Sequence, residues 1–355
     1  MGNQPNIKYY IFHLLLINII IILFHNSVSK NIKRSLINNA REIKIKFSSK
    51  GINKYLSDNY FNKKFKPSSI SHKKVTVCTE KLSNTCVIND DEKTIILKFD
   101  KSINTSENMF KDLDNIIEVD LSDFDGSKVN NIAHTFNGCT GLEKITFGEM
   151  DTSQVQNMEY LFYGCTKLKS LDLSNFETSS VTNMKYMFSN MKELTSIDLS
   201  NFSTLKVEDM SYMFAYSKSL NFLDISKFST KSVKTIVGMF SKCYALHYLN
   251  ISGFILGNSV KISDVFKSGN NTLKICIDVE KTKNYLLSSY KDRIICSETC
   301  MNKDNIYIEK GKNEENKKCV NKCNQDLFMY DIFCYIECPQ STFPQSSTCQ
   351  PKCQK

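Results

Sequence analysis

The sequence predicts an α/β repeat solenoid, with a parallel sheet on one face and short helices on the other, followed by a small disulfide-rich C-terminal region. Two observations carry this prediction. Nine of the fourteen cysteines lie in the last eighty residues. Phenylalanine recurs every 26 residues, at Phe110, Phe136, Phe162, Phe188, Phe214, Phe240 and Phe266. Such a repeat is typical of solenoids, in which each unit buries its apolar face by stacking on its neighbours.

The first residues predict a signal peptide over 1–29. Lys8 precedes an apolar run from Tyr9 to Phe24, and Ser27-Val28-Ser29 has the spacing of a signal-peptidase site. The run is shorter than the roughly 20 residues that span a bilayer. Positive charge is heavier after the run than before it, which the positive-inside rule reads as a cytoplasmic C-terminal side. The cysteine content outweighs this, so we expect a secreted protein or one at the extracellular cell surface.

Residues 30–74 form a basic segment. Thirteen Lys or Arg stand there against two acids, Glu42 and Asp58, which gives +11, whereas the whole chain has a formal net charge of +9. From Thr76 onward the balance is slightly acidic. The basic character therefore belongs to this segment, which we expect to be a disordered arm, and it does not predict nucleic-acid binding.

An N-terminal cap is expected over 75–108, because an open solenoid end would expose core and unpaired strand edges. Cys78 and Cys86 flank a polar loop there. This arrangement predicts a hairpin stapled by a disulfide and followed by a strand at Thr94–Phe99.

Six repeats are predicted over 109–266, each with a strand signal and a helix signal. The pattern L-x-x-L-x-L, as in LKSLDLSNF, alternates apolar and polar residues at its end and predicts a short strand with one buried face. A helix is predicted by the helical spacing of Met184, Met187, Phe188 and Met191. Stacked units of this kind give a leucine-rich-repeat-like solenoid, which we expect to be continuous over 94–277.

The unit LFYGCTKLKSLDLSNFETSSVTNM, residues 161–184, resembles the repeats of the BspA-like leucine-rich-repeat surface proteins. The resemblance covers about Asn108 to Phe266 and is specific, since several motif positions recur in six consecutive units. It implies a right-handed solenoid at a cell surface that binds matrix proteins, host surfaces or neighbouring cells. It implies no catalytic residues. The basic arm and the cysteine-rich tail lie outside it.

A C-terminal cap is expected over 267–296 and a cysteine-rich tail over 297–355. The cap reads as a strand, a short helix and a further strand, so that Cys276 and Cys296 would lie on neighbouring strands. Zinc sites usually show C-x2-C or C-x4-C with histidine nearby, and no His follows His247. We therefore expect disulfides rather than metal in the tail. The disulfide candidates are Cys78, Cys86, Cys276, Cys296, Cys300, Cys319, Cys323, Cys334, Cys338, Cys349 and Cys353.

Three further cysteines, Cys139, Cys165 and Cys243, stand three residues after the repeat phenylalanine. Leu113 and Met191 occupy the same position in other units, which predicts buried free thiols. Neighbouring units lie roughly 4.8 Å apart, so a Cys139–Cys165 disulfide is an alternative.

The binding face is predicted to be the concave face of the sheet. A polar row stands ten residues after the repeat phenylalanine, at Asp120, Asp172, Asp198, Asp224 and Asn250. The row could bind calcium as part of an adhesive surface, or each Asp could accept a hydrogen bond from nearby backbone, which we favour. Phe222, Tyr248 and Tyr216 break the repeat and predict exposed aromatic contacts for a partner.

The function predicted is adhesion or protein–protein recognition at a cell surface. The partner would be a protein or glycan on a host, the matrix or a neighbouring cell, without nucleic acid, and with membrane contact only through an anchor that the sequence does not show. A structural coat or stalk component is the alternative, and a regulatory inhibitor is a third. The sequence contains none of the common nucleophile, phosphate-binding or zinc motifs, so we expect no enzyme, cofactor or metal. Candidate glycosylation sites are Asn104, Asn201, Asn250 and Asn270.

Overall fold

The computed structural model describes residues 41–57, 67–71, 77–79, 84–89 and 91–277, together with seven short strands between 294 and 351. The strands are β1 Glu42–Phe47, β2 Gly51–Lys54, β3 Ser69–Ser71, β4 Val77–Thr79, β5 Thr85–Ile88, β6 Thr94–Lys98, β7 Ile116–Asp120, β8 Lys144–Thr146, β9 Phe222–Asp224, β10 Tyr248–Asn250, β11 Lys274–Cys276, β12 Ile294–Cys296, β13 Tyr307–Glu309, β14 Lys318–Val320, β15 Phe328–Tyr330, β16 Phe333–Tyr335, β17 Thr342–Gln345 and β18 Thr348–Pro351. Each 26-residue unit forms one coil, and the coils are numbered 1 to 7 from Phe110 to Phe266.

The predicted α/β class is wrong, because the described residues contain strands and turns but no helix. Coil 4 shows why the helical spacing misleads. The N–H of Met187 donates to Met184 O, three residues back, at 3.2 Å, while the N–H of Phe188 donates to Met213 O of the next coil at 2.8 Å. An α-helix would bond each N–H to the residue four back. Overlapping turns bury the same methionines, and every second backbone N–H donates to a carbonyl of the next coil instead.

Two residues per coil have positive φ, one two positions before the phenylalanine and one two positions after it. The pairs are Asn108 and Asp112, His134 and Gly138, Tyr160 and Gly164, Tyr186 and Asn190, Tyr212 and Tyr216, Gly238 and Lys242, and Asp264 and Ser268. A left-handed conformation costs a residue with a Cβ roughly 1–2 kcal/mol and interrupts any helix. The bonds between coils compensate for this cost in every unit.

The core is a ladder of phenylalanine rings. The rings of coils 1 to 7 stack in pairs with centroids 5.5 to 5.9 Å apart. Valine and methionine positions of the repeat, such as Val181 and Met184, are fully buried beside them. The predicted core positions are therefore confirmed by burial, although the elements that carry them are turns.

A second ladder lies on the outside of the turns. His134, Tyr160, Tyr186 and Tyr212 stack with centroids 4.5 to 4.8 Å apart. Burial raises the pKa of Tyr186 to about 12, and the neighbouring tyrosines add to the effect. We call the surface formed by these four side chains the turn face.

The parallel sheet is present in two pieces rather than one. Strand β7 pairs with β8, and β9, β10, β11 and β12 pair in sequence, all in parallel. The matching segments of coils 3 and 4, residues 170–172 and 196–198, are not strands. A separate column of single parallel bridges joins the coils at Thr105, Asn131, Asn157, Asn183, Asp209, Thr235 and Lys261. The surface formed by β7 to β11 and residues 170–172 and 196–198 is called the sheet face.

The first coil is capped by β1, which lies antiparallel between β6 and β7 in the order β3-β6-β1-β7-β8. Ile43, Ile45 and Phe47 are fully buried, whereas Lys44 and Lys46 alternate with them. Lys44 pairs with Asp123 at 2.8 Å, and Lys46 pairs with Glu118 at 2.7 Å. The prediction of a disordered arm is wrong for β1 to β3, because the period-2 pattern EIKIKF supplies an apolar face and the coil neutralises its lysines.

A small antiparallel sheet, β2-β5-β4, completes the described part of this cap. Its register sets Cys78 opposite Cys86, and Cys86 is disulfide-bonded. The strand expected at Thr94–Phe99 is present as β6.

At the other end, β12 pairs with β11 and sets Cys296 opposite Cys276, which is disulfide-bonded. The tail strands form a mixed sheet in the order β14-β13-β16-β15-β18-β17. Its strands contain Cys319, Cys334 and Cys349. The predicted signal peptide, the helix expected between β11 and β12, and the candidates Cys300, Cys323, Cys338 and Cys353 lie outside the described residues. No helix suited to crossing a membrane occurs in the part of the chain that is described.

Candidate functional site on the sheet face

The predicted polar row holds the turn that follows each strand position. Each member accepts a hydrogen bond from the backbone N–H two residues later, at 2.9 to 3.1 Å. The donor and acceptor pairs are Ser122 to Asp120, Ser174 to Asp172, Ser200 to Asp198, Ser226 to Asp224 and Ser252 to Asn250. This is the local backbone role expected of Asp and Asn.

These hydrogen bonds favour the charged form of the exposed carboxylates. The N–H of Ser174 holds the pKa of Asp172 below its usual value, and Ser200 does the same for Asp198. At Asp120 burial opposes ionisation, but bonds from Ser122 and the charge of Lys44 outweigh it and lower the pKa. No cluster of three or more His, Cys, Asp or Glu side chains suited to a metal ion occurs among the residues with described side chains.

The sheet face opens into clefts where coils 3 and 4 lack strands. A cleft of about 360 Å³ lies between coils 2 and 3 and is lined by Lys144, Asp172 and Asn175, among others. A second cleft, of about 370 Å³, lies between coils 4 and 5. Leu171 and Ile197 are only partly buried here, although the equivalent residues of the other coils are buried. The face is therefore notched between coils, in contrast to the continuous concave sheet that the repeat predicts.

The cleft between coils 4 and 5 brings three predicted site residues together. Asp198, Phe222 and Asp224 all line it, with Ser196 and Lys227. We call it the Phe222 cleft. It combines an aromatic surface, carboxylates, hydroxyl groups and one ammonium group, the mixture typical of ligand sites.

Phe222 forms one wall of this cleft. Its ring stacks on Tyr248 with centroids 4.9 Å apart and an angle of 9° between the planes. Tyr248 is only 8% exposed, so the prediction of an exposed Tyr248 is wrong. Its ring supports Phe222 from behind. Tyr216 is exposed as predicted, at 39%, but does not line the cleft.

The two carboxylates of the cleft differ in their remaining bonding capacity. Asp224 uses both oxygens, because Oδ1 accepts the Ser226 N–H and Oδ2 accepts Nδ2 of Asn250 at 3.1 Å. Asp198 Oδ1 accepts the Ser200 N–H, and the Ser200 side chain also bonds this carboxylate, but no bond from another coil reaches it among the described residues. Asp198 is thus the acceptor available to a ligand, while Asp224 and Asn250 form part of the wall.

The other predicted residues are placed elsewhere. Asp120 lies on β7 opposite Lys44 of β1, with its carboxylate 3.7 Å from Lys44 Nζ. The side-chain nitrogen of Asn201 donates to three backbone carbonyls of coil 3 at 3.0 to 3.1 Å. A glycan on Asn201 would have to displace these bonds, and one on Asn250 would have to displace its bond to Asp224. In contrast, Asn104 is exposed, and Asn270 uses only its Oδ1.

The three thiols of the coils are free and buried, as predicted. Each Sγ donates to the carbonyl of a repeat phenylalanine in the preceding coil, at 3.0 to 3.1 Å. In coil 5 Ser217 occupies the same position and donates to Phe188 O at 2.7 Å. The alternative of a Cys139–Cys165 disulfide is therefore excluded.

A column of buried threonines was not recognised from the sequence. Each Oγ1 donates to a carbonyl of the next coil and accepts an N–H from it, at 2.7 to 3.2 Å. The members are Thr152, Thr178, Thr204 and Thr230. Their 26-residue spacing was the available signal, but threonine is so common in turns that the column looked like surface.

Comparison with known proteins gives one match. Residues 104–204 and 167–278 match a family model described as "Mycoplasma protein of unknown function, DUF285". No curated protein and no solved structure matches the chain. The matched residues are the coils, so the match concerns the repeat and does not by itself identify it as leucine-rich or BspA-like. The coil region of this chain is therefore similar to the DUF285 family.

Proposed function

We propose that this protein is a recognition protein, secreted or held at the cell surface, that binds a protein or glycan ligand in the Phe222 cleft. The observation that carries the proposal is the convergence of Phe222, Asp198 and Lys227 on one opening of the sheet face. The relationship to DUF285 supports a surface repeat protein. We also propose that the repeats are of the BspA-like type that their sequence pattern resembles.

The placement outside the cytosol rests on the cysteines. Cys86 and Cys276 are disulfide-bonded, and Cys78 and Cys296 face them in the strand register. We propose Cys78–Cys86 and Cys276–Cys296 as the bridges, because directly paired strand residues lie within disulfide range. Disulfides persist in oxidising compartments, which supports secretion. Peptide mapping of the unreduced protein checks both pairs, and free Cys78 or Cys296 would contradict them.

A binding role rather than catalysis is proposed for the Phe222 cleft. Its lining residues include neither histidine nor cysteine. Elsewhere in the coils, burial raises the pKa of Cys243 to about 12 and raises that of Cys165 as well. These thiols are therefore poor nucleophiles at neutral pH.

The test is binding of the intact, oxidised protein to panels of matrix proteins and glycans, followed by variants of the cleft. Asp198→Asn and Phe222→Ser should each weaken capture of the ligand about tenfold, as expected for contacts at the centre of an interface. Asp172→Asn is the matched control, because Asp172 makes the same turn contact in a different cleft. Equal losses in all three variants, or no loss in the cleft variants, would contradict this site.

The alternative of a coat or stalk component predicts no saturable ligand at all. A panel that yields no saturable binding to the wild-type protein would favour it. An inhibitor would instead bind one soluble partner tightly and block its activity.

A further inference from the structure

A second surface follows the turns that lead from each phenylalanine to the sheet face. Its character changes along the stack at the positions two and four residues after the phenylalanine. Coil 1 carries Asp112 and Asp114 there, whereas coils 4 to 6 carry Asn190 and Lys192, Tyr216 and Lys218, and Lys242 and Tyr244. We call Lys192, Tyr216, Lys218, Lys242 and Tyr244 the basic–aromatic stripe.

Lysine and tyrosine exchange places between coils 5 and 6, so that each lysine faces a ring. Lys242 Nζ lies 4.7 Å from the centroid of Tyr216, and Lys218 Nζ lies 5.8 Å from that of Tyr244. Both distances are within the range of cation–π attraction. The rings are 39% and 49% exposed, so each retains surface for a partner.

The residues with described side chains do not neutralise the charge of the stripe. Lys192, Lys218 and Lys242 have no carboxylate within ion-pair distance among the residues whose side chains are described. On the same flank of coil 3, Lys167 pairs with Glu143 and Lys169 with Glu193, at 3.9 and 3.8 Å. The cations of coils 4 to 6 therefore attract anions from solution.

We propose that the basic–aromatic stripe binds an anionic polysaccharide, sulfated or carboxylated. Its cations recur at the spacing of the coils, roughly 5 Å, which suits a polymer whose charged groups also recur regularly. The exposed tyrosine rings supply apolar surface for the C–H faces of sugar rings. An acidic peptide fits less well, because it gains no regular contact with the rings and must be ordered on binding. This surface is separate from the Phe222 cleft and does not depend on it.

The experiment measures binding of the full-length, oxidised protein to immobilised polymers. The probes are dextran sulfate, polygalacturonate, uncharged dextran and poly-glutamate. We expect binding to one or both anionic polysaccharides, weakening with salt, and no binding to uncharged dextran. The sulfated and carboxylated probes distinguish the two anion types. Poly-glutamate binding as strong as that of the polysaccharides would overturn the proposal in favour of an acidic peptide.

Variants then locate the site. Lys192→Gln, Lys218→Gln and Lys242→Gln together should weaken polysaccharide binding about tenfold or more and reduce its salt dependence. The matched control replaces three exposed lysines of coils 4 to 6 that lie outside the stripe, Lys206, Lys231 and Lys261, by Gln. It has the same net charge and should bind nearly as well as the wild type. Equal weakening in both triple variants would show non-specific attraction and overturn the proposal.

The tyrosines test the contact with sugar. Tyr216→Ser combined with Tyr244→Ser leaves every lysine in place and should weaken binding to the polysaccharide severalfold. Unchanged binding would overturn the proposed sugar contact. Replacing the three stripe lysines by Arg keeps the charge and should preserve binding, and circular dichroism melts establish that every variant is folded. Variants of the Phe222 cleft should leave polysaccharide binding unchanged, which separates this proposal from the previous one.

Discussion

The turn face and the sheet face are built from the same 26-residue unit, yet one is closed and the other is open. On the turn face the aromatic rings of consecutive coils stack 4.5 to 4.8 Å apart, and every second amide bonds to the next coil. On the sheet face the backbone pairs only within β7–β8 and β9–β12, and clefts open between them.

This difference shows which contacts hold the coils together. Phenylalanine rings and alternate turn amides cross all six junctions between the seven coils, whereas threonine hydroxyls cross four of them and strand pairing crosses three. The sheet face consequently contributes fewer of the contacts that hold the coils together, and its outward side chains can vary for binding.

Removing a ring from the phenylalanine ladder should have the largest effect. Phe188→Ala should lower the free energy of unfolding by roughly 3–5 kcal/mol, because the ring is fully buried between Phe162 and Phe214. Urea denaturation measures this. Leu205→Ala in the same coil is the control, since Leu205 is 58% exposed, and it should cost less than about 0.5 kcal/mol. Equal costs would contradict a ring ladder as the core.

Breaking one threonine bridge should have an intermediate effect. Thr204→Val keeps the shape but leaves the N–H and carbonyl of Ser229 without the Oγ1 partner, which should cost about 1–3 kcal/mol. Thr195→Val, at an exposed position of the same coil, should change the stability little. Both are read from urea unfolding curves. A neutral Thr204→Val would mean that the hydroxyl column does not join the coils.

Exchanging a buried thiol for a hydroxyl should have a small effect. Cys165→Ser should change the free energy of unfolding by less than about 1 kcal/mol, because Ser217 already makes the equivalent bond in coil 5. Cys165→Val removes the donor to Phe136 O and should be less stable than the serine variant. If the valine variant proves more stable, that bond contributes nothing, and burial alone determines the position.

Acid should weaken the sheet face only slightly. The folded-state pKa of Asp172 and of Asp198 lies below the usual 3.8, so their contribution to stability is present above pH 3.8 and is lost as the pH falls through the lowered values. Both are exposed, so the loss should be small. Replacing both by Asn should flatten the acid limb of Tm between pH 4 and 2. An unchanged acid limb would contradict the turn contacts.

The period and the buried positions of the coils could be predicted from the sequence, but the element carrying them could not. Apolar residues at i, i+3, i+4 and i+7, as at Met184 to Met191, satisfy a helix and a run of overlapping turns equally well. What distinguishes them is a pair of left-handed residues in each unit. Tyr186 and Asn190 both have positive φ, but neither residue type predicts that conformation as glycine would.

The candidate site was predictable only in outline. Repeat phase placed Asp198 and Phe222 on the same face, which the structure confirms. It could not reveal that coils 3 and 4 lack strands, because residues 168–173 and 194–199 follow the same repeat pattern as the units that form strands. Nor could it show that Phe222 would cover Tyr248. Strand β1 was not predicted, because the high net charge of residues 30–74 obscured the short alternating pattern EIKIKF.

The antiparallel strand at the start of the stack has a consequence for assembly. Coils add to one another in parallel, so an uncovered first coil would accept the last coil of another molecule. Strand β1 runs against that direction and has its other edge occupied by β6. The stack could therefore be lengthened by inserting whole 26-residue units. End-to-end association of two molecules at the first coil is blocked by β1.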